Sequence, residues 1–517
     1  MSDKPTKDSI SIEEHTVASD EGPNFSFEEI ILKASKKKHK IIFLSDHPLS
    51  ASGVGVQARF LINGLVATGK YTFKCLGGAI KHTSYDTIQV NPDFIVKPIN
   101  GFGDRDMLRE LLVAEKPDAV FLFTDPRQFI WVWEMEDEIR SFCPIVYWHV
   151  WDNDPYPDFN APWYESTDLI NCISKKTFDL VKPNFPEKTN YVPHAFPGNS
   201  VFPLPKDQAS TLRKQNFGDK SDWFLTLWVN RNATRKMPAD LIHGFANFVN
   251  ELEKKHGHRK AALIMHTDPS DIEGPNLVAV ADHFGVLENV LFSKEKLSFE
   301  QMNALYNVVD AGVNISKNEG FGLLLLNMMQ AGKPVIALKT GGMTEQVQDM
   351  ETGYEHGVAI EPAKRALVGS QMVPYIYEDY CTQEQIADAF MKLHNMSPEQ
   401  REEIGQNAIK YVNKHFNYEN MVAKWDSTLE KTIEQHQSKL YSRWSLTPLT
   451  PKIINKDVAN KAKPGQANNI AKAAPATNIK NTSVRTTSLE TSPTPENKNI
   501  NDKENLRSKI KITPISL

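Results

Sequence analysis

The sequence predicts an α/β protein built from two Rossmann-like domains. Each is a doubly wound parallel sheet, the two face a cleft, and a disordered tail lies at either end. Three observations carry this expectation. Apolar runs of strand length alternate with amphipathic helical stretches from Lys40 to His436, the alternation that gives parallel sheets. Two of the strand-to-helix turns are rich in glycine, at Gly53 and Gly55 and again at Gly320 and Gly322. Between them the chain is interrupted by Pro193, Pro197, Pro203 and Pro205 around Gly198, the composition of a linker.

The most informative stretch is Ser316 to Glu345, SKNEGFGLLLLNMMQAGKPVIALKTGGMTE. The apolar run Asp310 to Ser316 reads as a buried strand, and Leu323 to Gln330 reads as a helix stopped by Gly332 and Pro334. Pro334 to Leu338 reads as the next parallel strand. Free amides and the positive dipole end at a helix N-terminus favour an anion, and Gly320 and Gly322 let phosphates or a sugar approach the backbone. Glu319, just ahead of them, offers a carboxylate to sugar hydroxyls. An ordinary βα turn uses the same glycines, so the loop alone does not decide.

Taken in order, residues 1–38 read as a disordered leader, too polar to offset the entropy of ordering. The first domain spans 39–205. Lys40 to Pro48 is its first strand, and Ser52 to Gly69 a glycine-rich turn opening a helix. Pro144 to Trp148 is an apolar strand, with His149, Trp151 and Asp152 at its C-terminal end, where open α/β sheets place ligands. Trp151 and Tyr156, flanked by Asp152, Asn153 and Asp154, are candidates for an acceptor groove; aromatic side chains equally fill cores, and both readings stand. Asn190 to Phe196 reads as the last strand of this half.

The second domain, 206–415, opens with the strand Asp222 to Arg231. Arg231 and Lys236 follow it five residues apart; two cations at a strand's C-terminal end can neutralise a diphosphate, and two solvated charges are the ordinary alternative. Residues 416–436 read as a terminal helix with Trp425 on its apolar side. Residues 437–517, rich in Lys, Asn, Thr, Ser, Pro and Ala, read as a disordered tail.

Length and composition bound the function. The 517 residues, 40% hydrophobic, allow two or three domains with ample cores. No apolar run approaches the roughly 18 residues that span a bilayer, and the polar N-terminus lacks a signal-peptide pattern. A cytoplasmic location is therefore expected, with peripheral membrane contact as the variant. Cys75, Cys143, Cys172 and Cys381 show no metal or redox spacing and read as buried thiols. The net charge of −5 hides an asymmetry, because residues 437–517 carry 14 Lys and Arg against 5 Asp and Glu. Such a tail suits contact with a polyanion or a membrane surface.

The long motif resembles the signature of retaining GT-B glycosyltransferases, glycosyltransferase family 4 (glycosyl transferases group 1). Glu319 matches the first acidic position, and Gly320, Phe321, Gly322 and Leu323 match the loop. Gly332, Pro334, Val335 and Ile336 match the following strand, and Gly341, Gly342 and Glu345 the closing turn. The resemblance implies a GT-B architecture and transfer of a sugar from a nucleotide-diphosphate sugar to the hydroxyl of a carbohydrate or glycoconjugate acceptor, with retention and without a cofactor or metal. It implies that Gly53, Val54 and Gly55 face the donor diphosphate and that His149 lies beside sugar and acceptor. Arg231 and Lys236 match the family's cation pair, although Asn230 and Met237 replace the flanking glycines. Asn327 stands where a second acidic residue usually holds the ribose, and an amide still donates and accepts hydrogen bonds there.

Two rival functions follow. One is another GT-B activity, such as an epimerase. The other is a donor-binding or scaffolding protein without turnover, suggested by Asn327 and the replaced glycines.

Overall fold

The run HKIIFLSD forms β1 (His39–Asp46), buried over Ile41 to Ser45 because helices cover both faces of the sheet to which it belongs. In the computed structural model, which describes residues 37–443, it is followed by β2 (Tyr71–Gly78), β3 (Ile88–Asn91), β4 (Phe94–Pro98), β5 (Ala119–Thr124), β6 (Ile145–His149), β7 (Leu169–Cys172) and β8 (Thr189–Tyr191). These form one sheet in the order β3-β4-β2-β1-β5-β6-β7-β8, parallel except for the β3–β4 pair. The strand order reverses between β1 and β5, so their C-terminal loops diverge there and leave a crevice.

The second half repeats the plan. β9 (Phe224–Val229), β10 (Ala261–His266), β11 (Val290–Ser293), β12 (Ala311–Asn314), β13 (Val335–Leu338) and β14 (Gly357–Ile360) form an all-parallel sheet in the order β11-β10-β9-β12-β13-β14. Here β9 and β12 are neighbours. The loop after β9 carries Lys236 and the loop after β12 carries Glu319, so topology alone brings them together.

The helix Tyr418–Arg443 crosses back onto the first half. Met421, Trp425, Leu429 and Ile433, spaced by four, are buried, and each such side chain contributes about 1.5–3 kcal/mol. The Trp425 ring lies 4.5 Å from Phe121 and 5.6 Å from Trp148. Tyr71 donates to Asp426 at 2.7 Å, and Tyr418 donates to the carbonyl of Phe60 at 2.8 Å. All four cysteines are buried and free. No helix among the described residues is long and apolar enough to cross a membrane.

The structure differs from the sequence reading at several places. The strand expected over Asn190 to Phe196 ends at Tyr191, because Pro193 has no amide for the ladder. The terminal helix runs to Arg443, seven residues beyond the expected end at 436. A helix, Lys206–Phe217, starts directly after the proline cluster. The cluster itself is pinned to the second half, with the amides of Phe202 and Leu204 donating to Asn303 and Asn307 at 3.0 and 2.8 Å. The expected leader up to Lys36 and the expected tail from residue 444 lie outside the described residues.

A further element absent from the sequence reading matters for the site. β15 (Lys364–Val368) and β16 (Ile376–Tyr380) form an antiparallel hairpin between β14 and the helix Gln383–His394. It reaches the first half: the amide of Tyr377 donates to the carbonyl of Asp154 at 2.8 Å, and Asn153 donates to the carbonyl of Tyr377 at 2.8 Å.

Candidate active site

The glycine-rich loops of the two halves face each other. Gly322 has φ +94°, a left-handed conformation that a side chain would strain, and this lets the helix Leu323–Gln330 start directly behind the loop. A Cβ on Gly53 would lie 3.0 Å from Leu323, and one on Gly320 would lie 3.0 Å from Ile173 of the first half. Any side chain at either glycine narrows the crevice. Ser52 caps the helix Gly53–Ala67 by accepting from the amide of Gly55 at 3.0 Å, and its hydroxyl donates to Asp46 at 2.7 Å.

Lys236 and Glu319 form an ion pair, and both residues are buried. Asn314 at the end of β12 donates to Glu319 at 3.3 Å, and the Ser316 hydroxyl lies 3.1 Å from the same oxygen. Burial alone raises the Glu319 carboxyl, but the charges of Lys236 and Arg235 and these hydrogen bonds outweigh it and hold the group down at about 2. Burial also draws the Lys236 ammonium below its ordinary value, against the pull of Glu319. The Gly342 amide donates to the carbonyl of Glu319 at 2.9 Å, tying the closing turn to the loop.

Asp152 faces this pair from the first half. Its carboxylate accepts no hydrogen bond among the described residues, and it feels the charges of Arg235, Glu319 and Lys236. Burial pushes it up to about 6, with Glu319 adding to that and Arg235 and Lys236 opposing it.

Not every predicted residue joins this cluster. Arg231 turns outward and pairs with Asp271 at 2.7 Å and Glu273 at 2.9 Å while 58% of its side chain stays exposed. The two carboxylates across the loop hold it there. Arg235, which the sequence reading passed over, takes the nearer place, 3.8 Å from Glu319. His149 is fully buried, its Nε2 2.8 Å from the Tyr164 hydroxyl, while its Nδ1 has no partner. Burial drives it down to about 3, so the ring is neutral. Its ring neighbours are Tyr147, Trp151 and Tyr164 rather than the Lys236–Glu319 pair.

Trp151 is 6% exposed, packs on Phe159 and donates to the carbonyl of Asn153. Tyr156 packs against the cluster around Tyr164 and Ile170. Of the three acceptor-groove candidates, Asp152 lines the cavity between the halves. Asn327 donates to the buried Tyr306 hydroxyl at 3.0 Å, leaving its own carbonyl oxygen without a partner. Phe321 holds its loop in place by packing edge-on to His194 and Phe416, and Val54 is partly exposed in the first turn of the helix Gly53–Ala67. No group of three or more His, Cys, Asp or Glu arranged to hold a metal ion occurs among the described residues.

Residues 233–369 match the family described as Glycosyl transferases group 1. The N-acetyl-alpha-D-glucosaminyl L-malate synthase of Bacillus anthracis is 25% identical over 194 residues, 37% of this chain and 46% of that protein. The D-inositol 3-phosphate glycosyltransferase of Acidothermus cellulolyticus is 29% identical over 197 residues, 37% of this chain and 40% of that protein. The chain thus spans less than half the length of these curated relatives.

Among solved structures, sucrose-phosphate synthase of Thermosynechococcus elongatus superposes with a TM-score of 0.58 at 16% identity, over 78% of this chain and 100% of that one. Anabaena HepE in complex with UDP-glucose superposes with a TM-score of 0.56 at 16% identity, over 76% and 99%. The chain has the GT-B fold, and its residues 233–369 match the family described as Glycosyl transferases group 1.

Proposed function

We propose that the protein is a glycosyltransferase that moves a hexosyl group from a nucleotide-diphosphate sugar to an acceptor hydroxyl with retention of configuration. The observation that carries this reading is the buried Lys236–Glu319 pair set beside two opposed glycine loops. The relatives' names support the reaction class, and the HepE complex supports a uridine-diphosphate sugar as the donor to try first.

In this reading Lys236 and Arg235 and the amides of the Gly320 loop stabilise the diphosphate as the C1–oxygen bond breaks, which is electrostatic catalysis by preorganised groups. The Gly53 loop closes on the diphosphate from the opposite side. Glu319, released from Lys236 when the phosphates arrive, accepts hydrogen bonds from sugar hydroxyls. The new bond to the acceptor oxygen forms on the face the diphosphate leaves, and the acceptor proton passes to a phosphate oxygen. His149, neutral, supports the cleft floor, and the Asn327 carbonyl oxygen accepts a ribose hydroxyl.

The test is release of nucleoside diphosphate from UDP-glucose and a panel of other nucleotide sugars. Release by the wild type that is lost in Glu319→Ala and Lys236→Ala supports the reading. Tight donor binding without any release supports the scaffolding alternative instead.

A further inference from the structure

A chamber of about 500 Å³ opens beside Asp152 between the two halves, within the range of about 300–1,000 Å³ typical of ligand sites. Asp152, Asp154 and the helix Lys175–Val181 wall it on the first half. Asn318, next to Glu319, and Thr340 wall it on the second. The hairpin closes it: the carbonyl of Tyr377 accepts from both Asn153 and Asn318, at 2.8 and 3.2 Å, so the roof is bonded to each half.

The charges of the wall select the occupant. Six carboxyl groups line it against four cations; burial pushes Glu345 up to about 8 and leaves it neutral, so five carboxylates remain, and every one of the cations is already paired. Lys175 pairs with Asp179, Lys176 with Asp154, Lys339 with Glu361, and Arg365 with Asp379 at 2.7 Å and Asp154 at 3.3 Å. An anionic guest finds no free cation here and meets excess negative charge. Hydroxyl groups, in contrast, find an acceptor, because Asp152 accepts no hydrogen bond among the described residues. The Tyr377 ring adds an apolar surface, with Arg365 5.7 Å from its centre.

We propose that this chamber is the acceptor site and that it takes an uncharged, hydroxyl-rich saccharide, one of whose hydroxyls is held by Asp152 next to the Lys236–Glu319 pair. The proposal rests on the glycosyltransferase reading for its role, but its binding chemistry is tested separately. It assigns the β15–β16 hairpin a function, as the roof that makes the site a chamber.

The experiment measures equilibrium binding of maltose, lactose, glucose 6-phosphate and L-malate to the full chain, and in parallel the nucleoside diphosphate released from the donor panel with and without each compound. The expected result is binding of at least one neutral disaccharide and none of the anions, with affinity falling at least tenfold in Tyr377→Ala. That variant keeps the backbone hydrogen bonds of the hairpin. Asp179→Lys, at a half-exposed position on the wall, guards against a misfolded hairpin and is expected to weaken disaccharide binding at least threefold.

Binding of the anions in preference to the disaccharides overturns the proposal. So does disaccharide binding that neither variant changes, or failure of every disaccharide to bind a wild type that turns over a donor. Disaccharide binding in a wild type that releases no nucleoside diphosphate leaves the chamber standing and removes the donor reading.

Discussion

Lys236, on the loop after β9, is ion-paired with Glu319, on the loop after β12, and the Lys236 and Glu319 side chains are only 9% and 11% exposed. A buried pair adds little stability over an apolar replacement, but removing one partner strands the other charge. Lys236→Met is therefore expected to cost roughly 3–5 kcal/mol in chemical denaturation. The double variant Lys236→Met, Glu319→Leu should recover most of that loss. Equal losses in single and double variants would show that the pair is not coupled.

The two arginines of the loop should separate functionally. Arg235→Ala is expected to lower donor turnover at least tenfold, because Arg235 is the second cation at Glu319. Arg231→Ala should change turnover less than threefold and stability within about 0.5 kcal/mol, as an exposed pair does. Steady-state kinetics of the two variants compares them directly.

How much of this was legible in sequence depends on which interactions decide each residue. Leu323–Gln330 was readable to the residue, because a positive-φ glycine starts it and Gly332 stops it within one chain segment. Glu319 and Lys236 stood out because each lies in a loop at a strand's C-terminal end, but their meeting was not legible, since it rests on β9 and β12 being neighbours in the sheet. Arg231 and Arg235 were not distinguishable: both follow the same strand, and the choice rests on Asp271 and Glu273, forty residues further on. The hairpin was missed for a similar reason. Its short, partly exposed strands lack an apolar run, and its position depends on contacts with Asn153 and Asp154 more than 200 residues away. Trp151 stayed open between core and groove because burial, rather than residue type, separates the two kinds of ring.

Asp152 should impose an acidic limb on transfer. Its carboxyl is raised to about 6, so it is ionised and able to accept an acceptor hydroxyl above that pH and protonated below it. Transfer kcat/KM is expected to fall as pH drops through about 6 in the wild type. In Asp152→Asn that limb should disappear and the level be lower throughout. A wild-type profile flat from pH 5 to 7.5 would contradict this role.

Glu319 contributes the opposite kind of linkage to stability. Its folded value, about 2, lies below the ordinary 4.5, so its stabilisation is fully present above pH 4.5 and is lost as pH falls toward 2. Urea midpoints of the wild type should decline over that window more steeply than those of Glu319→Gln. Parallel declines would mean that other carboxylates dominate.

Gly322→Ala should act on both fold and site. At φ +94° an alanine is strained, and its Cβ would lie 3.0 Å from Met343, so a loss of about 1–3 kcal/mol is expected. Donor KM should rise as the loop amides move. Thermal unfolding and donor kinetics on the same preparation test the two effects together.

The central claim is that the Lys236–Glu319 pair marks the donor diphosphate site. Calorimetric titration of UDP and GDP into the wild type and into the double variant Lys236→Met, Glu319→Leu tests it most directly, because the double variant is expected to stay folded. The account predicts that one of the two nucleotides binds the wild type and that its affinity falls at least a hundredfold in the double variant. Undiminished binding by a folded double variant would contradict it.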